Sequence, residues 1–199
     1  MASYFCCWRA CASAFDLGIT THTVAIRKQP LIALDNNYSG QEVVIVKNGT
    51  RICGTGGALG NTPIMQDKAY FEVRLQQSGV WGLGLGTEKA DLNVIPMGSD
   101  TETWVLCSDG SLRHNKEELY RIPQIPQEGD TIGVSYNHDT LDFYINGQKM
   151  DCPLTNVKGT VFPALYVDEG AVLDVIFEEF THAPPVGYDK IMLEHSICL

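Results

Sequence analysis

An antiparallel β-sandwich is the fold class that this 199-residue sequence predicts, and three observations predict it. Apolar and polar residues alternate with a period of two over short runs, as in strands with one face buried. Asn48-Gly49, Asp109-Gly110 and Asn146-Gly147 fall between such runs and supply the φ > 0 positions that tight hairpin turns require. No amphipathic helical repeat extends beyond a turn or two, so β-α alternation is excluded.

Residues 1–30 show no steady periodicity and are read as a flexible tail, leaving 31–199 as one domain. Val43 to Val46 is a β-branched strand that turns at Asn48-Gly49 into a strand over Arg51 to Cys53. The glycine-rich Gly54 to Gly60 is read as a connection. Over Ala69 to Leu75, Phe71, Val73 and Leu75 form one face and Tyr70, Glu72 and Arg74 the other. Ser78-Gly79 leads into Val80 to Gly86, where Trp81, Leu83 and Leu85 oppose three glycines. Such a face admits another backbone or a large side chain at close range, with Trp81 in the core. Thr87 to Thr103 is a long connection, and long ordered loops are often functional. Trp104 to Cys107 and Ser111 to His114 flank the two-residue turn signal Asp109-Gly110. Pro123 and Pro126 keep the next stretch out of a central strand. The clearest meander follows: Thr131 to Tyr136, Leu141 to Asn146, a type I′ turn at Asn146-Gly147, and Gln148 to Cys152. Val161 to Val167 and Ala171 to Phe177 close the pattern, joined by Asp168-Glu169-Gly170.

A body of this length buries roughly 70% of its unfolded surface without a metal or disulfide staple. The apolar share of 44% and charged share of 19% are those of an ordinary globular protein. The formal net charge is −10, and the first thirty residues hold Arg9, Arg27 and Lys28 against Asp16, which leaves −12 for residues 31–199. Such a surface repels phosphate, which argues against a nucleic-acid partner. Seven cysteines, three crowded at the N-terminus and four scattered, have no C-x-x-C spacing and indicate free thiols in a reducing, cytoplasmic setting. Cys53, Cys107 and Cys152 are expected as small buried hydrophobes.

Three segments together resemble the SPRY domain family. Tyr70 to Thr87 resembles the family's aromatic-Glu-Val strand followed by Trp-Gly-x-Gly. Gly129 to Met150 resembles its Gly-Asp-x-Ile-Gly-Val, Leu-x-Phe and Asn-Gly signature, and Val161 to Phe177 resembles its closing pair, with Phe162-Pro163 in place. The resemblance implies a bent β-sandwich of the jelly-roll type that recognises a peptide or loop of a protein partner through loops at one end. Carried over to this chain, those loops are Asn36–Gln41, Glu88–Asp100 and Asp168–Gly170. The ligand-binding candidates on them are Asn37, Tyr38, Leu92, Val94, Ile95, Met97, Asp168 and Glu169. The alternative for Leu92, Ile95 and Met97 is that they cap the sandwich as core. A monomer is expected.

Catalytic and cofactor patterns are missing from the sequence. The histidines at 22, 114, 138, 182 and 195 have no metal-ligand spacing, and no G-x-S-x-G elbow or phosphate-binding loop occurs. Asp142 and Asp174 are read as carboxylates on a solvated face. No enzyme activity, cofactor or metal is expected. Cys6, Cys7 and Cys11 beside Trp8 and Arg9 offer an S-acylation cluster, which makes a membrane-tethered adaptor the alternative function.

Overall fold

The computed structural model describes residues 31–193. The tail read over 1–30, with Cys6, Cys7 and Cys11, lies outside the described residues. The strands, in chain order, are β1 (Leu34–Ser39), β2 (Glu42–Val46), β3 (Arg51–Gly60), β4 (Ala69–Gln77), β5 (Val80–Thr87), β6 (Thr103–Cys107), β7 (Ser111–His114) and β8 (Glu117–Arg121). They continue with β9 (Thr131–Tyr136), β10 (Thr140–Ile145), β11 (Gln148–Lys149), β12 (Leu154–Thr155), β13 (Val161–Asp168), β14 (Val172–Ile176) and β15 (Asp189–Lys190). The only helix among the described residues is a single 3-10 turn at Lys47–Gly49.

The sheet is bent into a sandwich. Its first layer runs β11-β10-β9-β4-β14 to the N-terminal half of β3, and its second runs from the C-terminal half of β3 through β13-β5-β6-β7 to β8. The β3 strand therefore belongs to both layers. Between them lies the main core, where Phe71, Val73, Val134 and Phe143 of the first layer meet Trp81, Leu83, Leu85 and Leu106 of the second. All eight are almost fully buried, which at about 1.5–3 kcal/mol per large side chain supplies the main driving force for closure.

The strand pattern read from the sequence holds, with four differences. Gly54 to Gly60 is not a connection but the second half of β3, pairing with β13 through Gly56↔Val167 to Leu59↔Ala164. The Asn146-Gly147 turn is the two-residue type I′ turn expected, with both φ positive and Ile145 paired to Gln148. Asp109-Gly110 is different: Leu106 pairs with Leu112, so three residues form the loop, and Gly110 alone takes the left-handed conformation. Glu72 is fully buried and Asp142 nearly so, although alternation placed both on a polar face. Glu72 accepts hydrogen bonds from the Thr181 N–H (2.6 Å), the His182 N–H (2.9 Å) and the Tyr70 hydroxyl (3.1 Å). It thereby clamps the C-terminal segment over the first layer. Asp142 pairs with Lys149 Nζ at 3.0 Å.

Glycines on β5 make room for neighbours, as their pattern predicts. A Cβ on Gly82 would overlap the ring of Tyr166, its cross-strand partner, which is itself buried. Gly82→Ala should therefore destabilise the fold by about 3 kcal/mol. Adding Tyr166→Ala should reverse part of the Gly82→Ala effect, so that the two substitutions are non-additive in denaturant melts.

Asp174 gives a pH-dependent contribution. It faces Arg51 across the β14–β3 ladder and accepts from Arg51 Nη2 at 2.7 Å and Lys47 Nζ at 3.2 Å. Burial alone would raise its pKa, but these hydrogen bonds and charges outweigh burial and hold the carboxyl below its ordinary value. A depressed folded-state value gives stability that is full above the unfolded-chain value near ~4 and lost as pH falls through the folded value. Asp174→Asn should cost about 1–2 kcal/mol at neutral pH. It should also flatten the acid limb of stability against pH, measured by thermal melts across that range.

Candidate functional site

The three predicted loops meet, and the place where they meet is the glycine-rich stretch of β3. The Gly57 N–H donates to the Leu92 carbonyl at 2.7 Å, and the Gly40 N–H donates to the Gly57 carbonyl at 2.8 Å. Asn93 Oδ1 accepts from the Gln41 N–H at 2.9 Å. Gly56, with φ +127°, lies so close to Leu92 that an added Cβ would stand 3.0 Å from its carbonyl oxygen. Val167 pairs with Gly56, so Asp168 and Glu169 follow directly at the same place. Thr55 Oγ1 closes the set by donating to Asp168 Oδ1 at 3.0 Å.

Each predicted residue has a definite place. The segment read as the first loop is strand as far as Ser39, so Asn37 and Tyr38 lie in β1, paired with β3. The exposed Asn37 is held by Asp35, whose Oδ1 accepts from its N–H and its side-chain amide (2.8 and 3.0 Å). Tyr38 is 37% exposed, and its hydroxyl donates to Glu88 Oε1 at 2.6 Å. That hydrogen bond to a carboxylate, with the carboxylate's charge, raises the Tyr38 pKa and keeps the phenol protonated. Val94 is 44% exposed at the crest of the loop. Glu169 is exposed, with Gly170 beside it, in the turn joining β13 to β14.

Leu92, Ile95 and Met97 do something else. Met97 is 3% exposed and sits in a second apolar cluster with Val105, Cys107, Ala164 and Tyr166, against which Leu92 and Ile95 also pack. These strand residues alternate with those of the main core, so the cluster lies on the outer face of the second layer. The loop from Glu88 to Asp100 therefore folds back across that face instead of capping an end of the sandwich. Its apolar residues are the anchors, and Val94 is the residue they present.

Thiol chemistry gives no alternative at this place. Burial raises the pKa of Cys107, and likewise of Cys152, so both stay protonated and unreactive. Among the described residues, no group of three or more His, Cys, Asp or Glu side chains could hold a metal ion. No helix among them is long and apolar enough to cross a membrane.

One arrangement went unread in the sequence. A cleft of about 740 Å³ lies beside the loop's first residues, between Thr87–Lys89, Thr101–Glu102 and Asn156–Thr160, with Trp104, His114 and Phe162 in its walls. The Trp104 and His114 rings stack with centroids 4.5 Å apart and planes 10° apart. A two-residue Asp109-Gly110 turn would have set Trp104 opposite Asn115. The observed three-residue loop sets it opposite His114.

Comparison with known proteins agrees with this architecture. The sequence model of the SPRY domain matches residues 68–180. SPRY domain-containing protein 7 from Bos taurus is 48% identical over 198 residues, covering 98% of each chain. Among solved structures, the SPRY domain of human HERC1 superposes with a TM-score of 0.63 at 15% identity, over 74% of this chain and 99% of that one. The TRIM65 PSpry domain superposes with a TM-score of 0.62 at 15% identity, over 74% of this chain and 90% of that one.

The loop packing gives a direct test. Gly57 leaves 3.1 Å to the Met97 sulfur and 3.3 Å to Leu92 Cδ2 from a hypothetical Cβ. Gly57→Val should lift the loop at a cost of about 1–3 kcal/mol. Amide hydrogen exchange should then rise over residues 88–100 and stay unchanged in β9 and β10, far from the substitution.

Proposed function

Because this chain belongs to the SPRY domain family, we propose that it is a non-catalytic protein-recognition module that holds a peptide or loop of a partner where its three loops meet. One observation carries this reading: Tyr38, Val94 and Glu169 are exposed on segments whose backbones are tied to one another or to β3. A preformed surface of this kind loses little conformational entropy on binding. Its apolar projection, Val94, is ringed by polar groups, as in the centre and rim of many interfaces. Val94 shares a shallow pocket with Asp91, Asp100 and Lys116. The three segments and their flanks carry Asp35, Glu42, Glu88, Asp168 and Glu169 against Lys89, so the surface is acidic on balance and suits a neutral or basic partner segment.

The test uses side chains that are exposed and carry no core packing. Chain bearing Tyr38→Ala with Val94→Asp is compared with wild type and with a control bearing Leu119→Asp on the β8 edge, which is also exposed. All three should melt alike. Partners captured from lysate by wild type and the control should be lost or weakened at least about tenfold by the double variant. A partner that the double variant retains and the control loses would move recognition to the β8 edge and overturn this reading.

A further inference from the structure

The cleft beside Thr87 lies next to the proposed recognition surface and shares Glu88 and Lys89 with its loop. Its hydrogen-bonding capacity is unevenly used. Its acceptors are engaged within the chain: Glu102 takes the hydroxyl protons of Thr87 and Thr101, and Glu88 takes that of Tyr38. Its donors are not. Lys89 and Lys158 are exposed and make no ion pair among the described residues. The Trp104 Nε1–H is buried with no acceptor in the structure, although Trp104 as a whole is only 2% exposed. A buried N–H left unpaired is unfavourable, so such groups call for an explanation.

The rest of the wall is rigid and flat. His114 Nδ1 lies 2.9 Å from the Thr103 carbonyl oxygen, which can only accept, so Nδ1 carries the proton and the ring orientation is fixed. The indole stacked on it is fixed in turn, and Phe162 adds a second aromatic surface. We propose that this cleft binds a carboxylate carried on an aromatic or apolar group, with Lys89 and Lys158 meeting the charge and the aromatic walls of Trp104, His114 and Phe162 holding the apolar part. Glu88 and Glu102 set the charge limit. Two ammonium groups opposed by two carboxylates suit a singly charged ligand and disfavour a phosphate dianion.

The experiment follows the indole N–H signals of the full chain in 1H–15N spectra. There are three tryptophans, Trp8, Trp81 and Trp104, and Trp104→Phe identifies the reporter signal by its loss. The probes are phenylacetate, its neutral counterpart phenylacetamide, the cation 2-phenylethylamine, and the blocked peptide acetyl-Phe-Glu-amide. Phenylacetate or the peptide should move the Trp104 signal saturably, and the amide and amine should not. Tighter binding of the peptide would assign the carboxylate to an acidic side chain of a protein, and tighter binding of phenylacetate to a free small acid. Lys89→Gln with Lys158→Gln, both at exposed positions, should leave melting unchanged and weaken binding by about tenfold or more. The proposal is overturned if the amine or amide binds as well as the acid, if the double lysine variant binds like wild type, or if neither acid moves the signal.

Discussion

The structure depends on one strand that serves two sheets. The first half of β3 pairs with β2 and β14, and its second half pairs with β13 and β1. The register of each layer is thus fixed relative to the other through a single backbone. The glycines on this strand are what allow the sharing. Gly54 has φ +92° and Gly56 has φ +127°, a region that L side chains rarely adopt, and the backbones of Glu42 and Leu92 press against them. A strand so poor in side chains buries little apolar area itself. It is held by the residues packed around it, and the place where the segments of Gly40 and Leu92 meet follows its backbone shape.

A second constraint comes from the outer faces of the two layers. Each is covered by a segment with little regular structure: the loop from Glu88 to Asp100 over the second layer, and over the first the residues after Phe177, whose one strand is the two-residue β15. Phe180 sets its ring edge-on to Tyr70 at 4.9 Å, and Glu72 takes the N–H groups of Thr181 and His182. A buried carboxylate is unfavourable unless its lone pairs are filled, and here three neutral donors fill them. Tyr70 can join them because its hydroxyl stands over Gly133, where a Cβ would collide with it. The same device, a tyrosine over a strand glycine, appears in the other layer with Tyr166 and Gly82.

The strands were legible because a period-two pattern and Asn-Gly turns act locally. Asn146-Gly147 fixed its hairpin register correctly, since both residues take positive φ and nothing distant intervenes. Asp109-Gly110 looked equivalent but gained one loop residue, as Asp109 accepts from the Ser111 N–H at 3.0 Å and the Gly110 N–H reaches back to the Cys107 carbonyl. That single residue decides which ring Trp104 stacks on, so the cleft was invisible to a reading based on dipeptides. The three segments singled out through family resemblance do meet at β3, whereas the choice for Met97 between exposed patch and core stayed open in the sequence. An apolar loop reads alike whether it faces solvent or a sheet.

Covering segments are hard to read for a physical reason. Alternation marks a strand as half-buried only when its other face is wet. Every residue of β9 is buried, and so are the first five of β4, because something lies on both sides. The covering chain has no ladder to satisfy its own backbone, so single side chains must do it. Asn93 takes the Gln41 N–H, Asp100 takes the Glu102 N–H, Thr103 takes the Gly98 N–H, and Glu72 takes two N–H groups at once. Two of these bonds are local, but those of Asn93 and Glu72 span 52, 109 and 110 residues, so no window of sequence contains them. They are also the bonds that hold the exposed residues in place. The part of the chain that is least legible is therefore the part that shapes the surface a partner would meet.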